Sequence, residues 1–301
     1  MADKETILVG VDGSPESLEA AEWAGARAKQ SGAELQILCA YALPSYTAAS
    51  MDSGFAVVDN DAIRDSAQTV VDEAIAHLEK LGYQAKGRVD AGDPTAILVQ
   101  LSEEVDLIVV GTRGGGGFTD RLLGATSSAL PAYSRCPVVV VPRRGADDQF
   151  VPVKKIVIGV DGSKRSRKSL RRAISETQVW GAELTAVDAV PLASSAGILS
   201  WLPATVDRDS ILRDVRDKLK QTCKEETAGS AVKVHSHALD GNPAALLTEF
   251  STAVDLVVVG TRGGGGFTGA LMGSTSQSIL AHAACPVLVI PTGDHEKEAE
   301  G

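Results

Sequence analysis

The chain has 301 residues, 44% of them apolar, and a formal net charge of −10 from 29 basic and 39 acidic side chains. Such a length accommodates two ordinary domains with a core in each, and no apolar run approaches the ~20 residues of a membrane helix. Residues 1–149 carry 22 acidic and 12 basic side chains, whereas residues 150–301 carry 17 of each; an acidic first half argues against a nucleic-acid binder.

The opening MADKETILVG mixes charges and enters a strand at once, unlike a signal peptide. Four scattered cysteines (Cys39, Cys136, Cys223, Cys285) are too few for a disulfide framework or a zinc site. Cys136 and Cys285 stand at matching places before Pro, as small buried residues. A cytoplasmic protein, with no membrane partner, is expected. Ile7 to Val11 is the first apolar strand. In Asp12-Gly13-Ser14-Pro15 a turn leads into a helix that Ser14 can cap, with Pro15 at its first position. Leu18, Ala21, Gly25 and Ala28 trace one face of that helix, small enough to lie close to a sheet.

Leu35 to Tyr41 forms the second strand, and a long connection from Ala42 runs to about Asn60. Ile63, Ala67, Val70, Ala74, Leu78 and Leu81 then recur at helical spacing. A third strand around Gln84 to Asp90 precedes Gly92-Asp93-Pro94 and a short helix through Ile97 and Leu101. Leu107 to Val110 is a short β-branched run closed by Gly111, the mark of a strand buried on both faces. Four glycines, Gly114 to Gly117, follow, and Gly124-Ala125-Thr126-Ser127 starts a helix that reaches about Tyr133. Hydroxyl residues suit a helix start, where backbone N–H groups lack partners. PVVVVP, Pro137 to Pro142, is the fifth strand.

The whole pattern then recurs at an offset of 149: Asp12 and Asp161, Gly32 and Gly181, Gly92 and Gly241, Pro137 and Pro286. A single offset along the length means a duplicated domain. The units are placed at 1–147 and 150–295, with a charged, turn-rich seam from Pro142 to Pro152. Strands alternating with helices imply parallel strands joined by right-handed crossovers, hence a three-layer α/β domain in each copy. Both fifth strands are apolar and flanked by proline. An open edge of that kind invites aggregation, so the two should pair antiparallel about a pseudo-twofold axis, or each should pair with another chain. A homodimer is left open.

The strongest repetition is DLIVVGTRGGGGFT against DLVVVGTRGGGGFT, differing only at Ile108 and Val257. Strand, bare glycine backbone and helix start make a layout suited to phosphate. In open α/β sheets a ligand sits beyond the carboxyl ends of neighbouring strands. A GxGxxG at Gly264-Gly265-Gly266-Phe267-Thr268-Gly269 follows the fourth strand rather than the first, so it is no dinucleotide fingerprint. There is no P-loop GxxxxGK[ST].

In these motifs the sequence resembles a tandem universal stress protein of the subgroup that binds ATP. That pattern is Gly, two residues, Gly, nine residues, Gly, then Ser or Thr. Gly260, Gly263, Gly273 and Ser274 match it fully; Gly111, Gly114 and Gly124 match, but Ala125 replaces the hydroxyl. GVDGS at the start and CPVVVVP or CPVLVIP at the close match in both copies. The resemblance implies two doubly wound α/β domains, each a five-stranded parallel sheet of order 3-2-1-4-5 with helices on both faces. It also implies one ATP site per domain and a role in stress responses.

By position, Gly10, Val11 and Asp12 then border the nucleoside, and the backbone of Ala40 meets the adenine. Gly111, Thr112, Arg113, Gly114, Gly115, Gly116 and Gly117, with Gly124, Ala125, Thr126 and Ser127, hold ribose and phosphates. The second site maps to Gly159, Val160, Asp161 and Ala189. It continues through Gly260, Thr261, Arg262, Gly263, Gly264, Gly265 and Gly266 to Gly273, Ser274, Thr275 and Ser276. Arg121 reaches the phosphates of the first copy, where the second has Ala270. Asp12 and Asp161 can also simply cap the first helix of each copy, and beside phosphates they call for Mg²⁺. His235 and His237 alternate on a strand and lack a third ligand, as surface residues do. Lys164, Arg165, Arg167, Lys168, Arg171 and Arg172 form a solvated face, or one that meets an acidic partner.

Two functions follow from this: an ATP-binding regulatory protein with a protein partner still to be found, or an ATP-using enzyme such as a slow hydrolase of the adenine-nucleotide hydrolase-like fold. There is no clear base and no P-loop lysine, which points away from fast turnover. A two-component receiver needs an acidic pair after the first strand, and Gly13 follows Asp12.

Overall fold

The computed structural model describes residues 4–42, 60–114, 123–145, 149–192, 208–263 and 272–292. The first half runs β1 (Thr6–Gly10), α1 (Pro15–Ser31), β2 (Glu34–Tyr41), α2 (Asn60–Lys80), β3 (Lys86–Ala91), α3 (Pro94–Leu101), β4 (Leu107–Gly111), α4 (Ala125–Tyr133) and β5 (Val138–Val141). The second half repeats this as β6 (Lys155–Gly159), α5 (Lys164–Trp180), β7 (Glu183–Val190), α6 (Arg208–Glu226), β8 (Val234–Asp240), α7 (Pro243–Phe250), β9 (Leu256–Gly260), α8 (Ser274–His282) and β10 (Val287–Ile290). The third strand starts two residues later than its sequence pattern suggests. Most of the long connection after Tyr41 lies outside the described residues.

All ten strands form one sheet in the order β3-β2-β1-β4-β5-β10-β9-β6-β7-β8. Within each half the order is 3-2-1-4-5 and every pairing is parallel. The join between halves is antiparallel, with Val140 opposite Val287 and Val138 opposite Val289. Each half thereby closes the apolar edge of the other. The outer edges carry exposed Lys86 and Arg88 on β3 and exposed His235 and His237 on β8, which discourages further strand addition.

Central strands are buried on both faces because each face is covered by helices. Successive residues alternate between two cores: Ile7 and Val9 pack on one side, Leu8 on the other, and β4, β5, β9 and β10 follow the same rule. Helices α1, α2, α5 and α6 cover the first face, and α3, α4, α7 and α8 the second. Gly25 of α1 makes room for the ring of Tyr83 rather than for the sheet.

At the centre of the first face α1 lies against α5. Trp23 and Trp180 meet with centroids 5.8 Å apart. Beside them Arg27 donates from Nε to Glu176 Oε2 at 2.7 Å and from Nη1 to Glu5 Oε2 at 3.1 Å. The Arg27 and Glu176 side chains are each only 1% exposed. Arg172 Nη2 lies 2.9 Å from Glu176 Oε1 but without hydrogen-bond alignment, so this contact is an ion pair only. Arg27 and Glu176 stand 149 residues apart, the same position in the two copies.

The basic run of α5 is only partly a solvated face. Arg167 and Arg171 pair with Glu225 and Glu226 of α6, and Arg172 with Glu5 and Glu176. The seam between the halves is also tied down. Phe150 and Val153 are buried, and Arg144 donates to Glu19 and Glu22 of α1.

Candidate functional site

Two cavities, of about 390 and 630 Å³, open beyond the carboxyl ends of the strands at matching places in the two halves. Both fall in the ordinary size range of small-molecule sites. Their position follows from the topology, since β1 leaves its neighbours β2 and β4 in opposite crossover directions.

The turn after β1 is built by short side chains. Asp12 Oδ1 accepts from Ser14 N at 3.1 Å and from Ser14 Oγ at 2.6 Å. Ser14 Oγ in turn accepts from Ser17 N at 3.2 Å and caps α1. In the second half Asp161 Oδ1 accepts from Ser163 N at 3.0 Å, and Ser163 caps α5. The aspartates therefore buttress the capping serines and do not cap the helices themselves. Their other oxygens reach the glycine turns. A Cβ built on Gly114 or Gly263 would collide with Asp12 Oδ2 or Asp161 Oδ2, so only a residue without a side chain fits beneath each carboxylate.

Each glycine turn hangs from the end of the last strand of its half. Thr112 N donates to Val141 O at 2.9 Å, and Thr261 N to Ile290 O at 2.9 Å. Gly124 N then returns to Thr112 O at 2.7 Å, and Gly273 N to Thr261 O at 2.8 Å. Ser127 Oγ donates to Thr112 O and Ser276 Oγ to Gly260 O, both at 2.7 Å. These hydroxyls pin the turn to the helix start. Thr112 and Thr261 are buried, and neither lines a cavity.

The starts of α4 and α8 differ from those of α1, α3, α5 and α7. Ser14, Asp93, Ser163 and Asn242 cap α1, α3, α5 and α7 with their side chains. The N-caps of α4 and α8 are Gly124 and Gly273, and no side chain caps either end. Hydroxyl residues stand in the first turn instead of at the cap. The first turns, Ala125 to Ser127 and Ser274 to Ser276, line the cavities, so their N–H groups and the positive end of the helix dipole are set towards the cavity space.

Of the residues selected from sequence, Gly10, Val11, Asp12, Ala40, Gly111, Arg113, Gly114, Gly124, Ala125, Thr126 and Ser127 line the first cavity. Gly159, Val160, Asp161, Ala189, Gly260, Arg262, Gly263, Gly273, Ser274, Thr275 and Ser276 line the second. Gly115, Gly116, Gly117, Arg121, Gly264, Gly265, Gly266 and Ala270 lie outside the described residues. An apolar wall not selected from sequence completes each site: Leu38, Pro94, Leu98 and Val110 in one cavity, Val187, Pro243, Leu247 and Val259 in the other. Their recurrence at the repeat offset was the available signal, hidden because apolar residues at those places also serve the core.

Two charged residues line the second cavity only. Arg165 replaces Glu16, and Asp188 replaces Cys39. Burial pushes the Asp188 carboxyl up to about 6, and the nearby Asp161 charge adds to this. Burial, with Asp12, likewise raises the Cys39 thiol.

Comparison with known proteins agrees with this construction. The model of the universal stress protein family matches residues 4–142 and again residues 152–291. A universal stress protein of Mycobacterium tuberculosis is 30% identical over 310 residues, covering 94% of each chain. One from Mycolicibacterium smegmatis is 31% identical over 296 residues, covering 94% of this chain and 96% of its own. The crystal structure of a universal stress protein from Archaeoglobus fulgidus shares the fold, with a TM-score of 0.67 at 23% identity over 96% of this chain and 97% of its own. Two matches to the family model, together covering nearly the full length, and relatives of the same tandem length establish that the chain belongs to the universal stress protein family, with two family domains in tandem.

Proposed function

We propose that the protein is a regulatory nucleotide-binding module of the stress response that holds one ATP in each half. The observation that carries this is the contrast in helix caps. Four helices close their N-termini with their own side chains, while α4 and α8 leave theirs to whatever enters the adjoining cavity. Phosphate oxygens suit such an end, as they accept from several N–H groups and favour the positive dipole. The apolar wall offers a surface for a base, and Ala40 or Ala189 presents a strand-end backbone beside it. Gly260, Gly263, Gly273 and Ser274 keep the full ATP-subgroup spacing. Mg²⁺ would enter on the phosphates and keep most of its water, as one or two carboxylates per cavity make no protein cage for it.

Mass spectrometry of nucleotide released on denaturation, with calorimetric titration of ATP and Mg²⁺, tests the proposal. Up to two ATP per chain is the expected result. No uptake after incubation with Mg²⁺ and ATP would sink it.

A further inference from the structure

The two cavities differ in charge at the first turn of the helix that follows the first strand of each half. Arg165 of α5 lines the second cavity together with Gly260, Gly263 and Ser274. It is half-buried and makes no ion pair or hydrogen bond among the described residues. Arg167, one turn face away, does find acids, in Glu225 and Glu226. A cation in a first helical turn opposes the helix dipole, so Arg165 gains by meeting an anion. In the first half the same place holds Glu16, which packs beside Gly111, faces Arg143 Nε at 3.9 Å and does not line the first cavity. Where the first half has Arg143 the second has the uncharged Thr292, whose hydroxyl accepts from Arg262 N at 3.1 Å. Arg262 lines the second cavity too, and its Nε is buried without a hydrogen-bond partner. Among the described residues the second cavity therefore offers two guanidinium groups with donors to spare, and the first offers Arg113 beside a Glu16–Arg143 pair that cancels itself.

We propose that Arg165 makes the second cavity selective by phosphate number, so that it favours a nucleoside triphosphate over a monophosphate more strongly than the first cavity does. This rests on the cavities being nucleotide sites. The glycine backbone and the uncapped helix starts are common to both halves, so they serve the phosphate nearest the nucleoside alike in each. A guanidinium adds five donors in a fixed fork and a permanent charge, which suits the oxygens of a further phosphate. Each phosphate beyond the first brings negative charge that Arg165 attracts and Glu16 does not. The second cavity is also the larger, at about 630 against 390 Å³, which leaves room for a longer chain. Asp188 enters this cavity from β7, two strands from β9 in the sheet, or roughly 10 Å from the strand that carries the glycine turn. Its charge acts at the end that AMP and ATP have in common. The ratio of the two affinities, rather than either affinity alone, therefore reads Arg165.

The test titrates the intact chain with ATP, ADP and AMP by calorimetry, with Mg²⁺ and at low and high salt. It compares wild type, Arg165→Ala, Arg165→Glu and the double variant Glu16→Arg with Arg143→Thr, which copies the second half's corner into the first. Glutamate is native at the equivalent position, so Arg165→Glu is expected to fold, and thermal melting checks it. One wild-type site should prefer ATP to AMP by about tenfold more than the other does, the size of one contact to a charged oxygen. Arg165→Ala should cut that preference by a few-fold, since ordering the side chain offsets part of its attraction, and Arg165→Glu should remove it. AMP affinity should hardly move in either. The double variant should gain the preference at the first site, and high salt should shrink every difference. Equal preference at the two wild-type sites overturns the proposal and leaves the nucleotide reading standing. So does an Arg165→Glu loss as large for AMP as for ATP, which makes the residue a general attractor of anions, or a stronger preference at the first site that Arg121→Ala removes. Failure of both sites to take up any of the three nucleotides overturns the nucleotide reading itself, and this proposal with it.

Discussion

The two halves of the chain share one frame and differ where side chains carry charge. Strand order, caps, glycine turns and the apolar wall repeat at the same offset. Against that constancy the first cavity is lined by Ala125, with Cys39 buried in β2 and Glu16 at the start of α1. The second has Asp188, Ser274 and Arg165. At the contact between halves the divergence is complementary, because Arg27 and Glu176 occupy the same place in the repeat and bond to each other. Two copies of one half would bring Arg27 to Arg27, or Glu176 to Glu176, in a buried position. The repeated frame is common to both halves, and the charge differences fit the halves to one another rather than each to itself.

The sharpest way to break this pairing is Arg27→Met, which takes both hydrogen bonds from Glu176 and leaves it and Glu5 with Arg172 alone. Removing one partner of a buried ion pair costs about 3–5 kcal/mol, so a large fall in denaturant midpoint is expected. Arg27→Met with Glu176→Leu should cost far less than either single change, since Glu5 and Arg172 still face each other at 3.7 Å. Similar losses in single and double variants would show that the pair does not hold the halves together.

Next in size, Gly114→Val or Gly263→Val drives a side chain into Asp12 or Asp161 and covers the glycine backbone. Each should lower affinity at its own site by about 100-fold, and together they should abolish ATP binding in a chain that still melts cooperatively. Calorimetry on each single variant shows whether one site is lost at a time.

A third measurement separates the halves by pH. The folded-state pKa of Asp188, pushed up to about 6 from an ordinary 3.8, means that the native protein holds this proton more tightly than the unfolded chain. The stabilisation is fully present below the ordinary carboxylate range and is lost as pH rises through about 6. Asp188→Asn should therefore match wild type near pH 4 and exceed it by about 2 kcal/mol at pH 7.5, after discounting for partial exposure. Cys39→Ser in the other half should produce no such pH-dependent gain.

The smallest effects belong to the phosphate end. Ala125→Ser should strengthen the first site by about tenfold at most, a hydroxyl to a charged acceptor. Arg165→Ala should weaken the second site by only a few-fold and flatten its salt dependence, because ordering the long side chain of this half-buried Arg offsets much of its attraction. Equal affinities and equal salt slopes throughout would mean that the common glycine backbone sets the binding.

The frame was legible because it rests on local periodicity. Short β-branched runs, glycine punctuation and helix starts such as Ser14-Pro15 mark the strands and helices one by one, and proline-flanked fifth strands call for each other. Positions that depend on which face a residue takes were not. Thr112 and Thr261 sit inside the glycine signature yet turn into the core, pinned by backbone bonds to the last strand. Asp188 belongs to no motif, and Arg165 is one cation among several in a basic helix. Only the register of β7 and the pitch of α5 bring them to the cavity. Phe150 lay unnoticed in the charged seam because a single apolar residue has no period.

The antiparallel meeting of β5 and β10 has a geometric consequence. Strands in the two halves run in opposite senses, so the two mouths open at opposite rims of the molecule and cannot be covered by a single flat surface. The turn bearing Thr112 hangs from Val141, at one end of the four-residue β5–β10 ladder, and the turn bearing Thr261 hangs from Ile290, at the other. Four residues of strand span about 13 Å, beyond the ~8 Å screening length of physiological salt. Charge at one rim is therefore muted at the other, and the short mechanical route between them runs through this hydrogen-bonded pair of strands, like a taut cord knotted at each end.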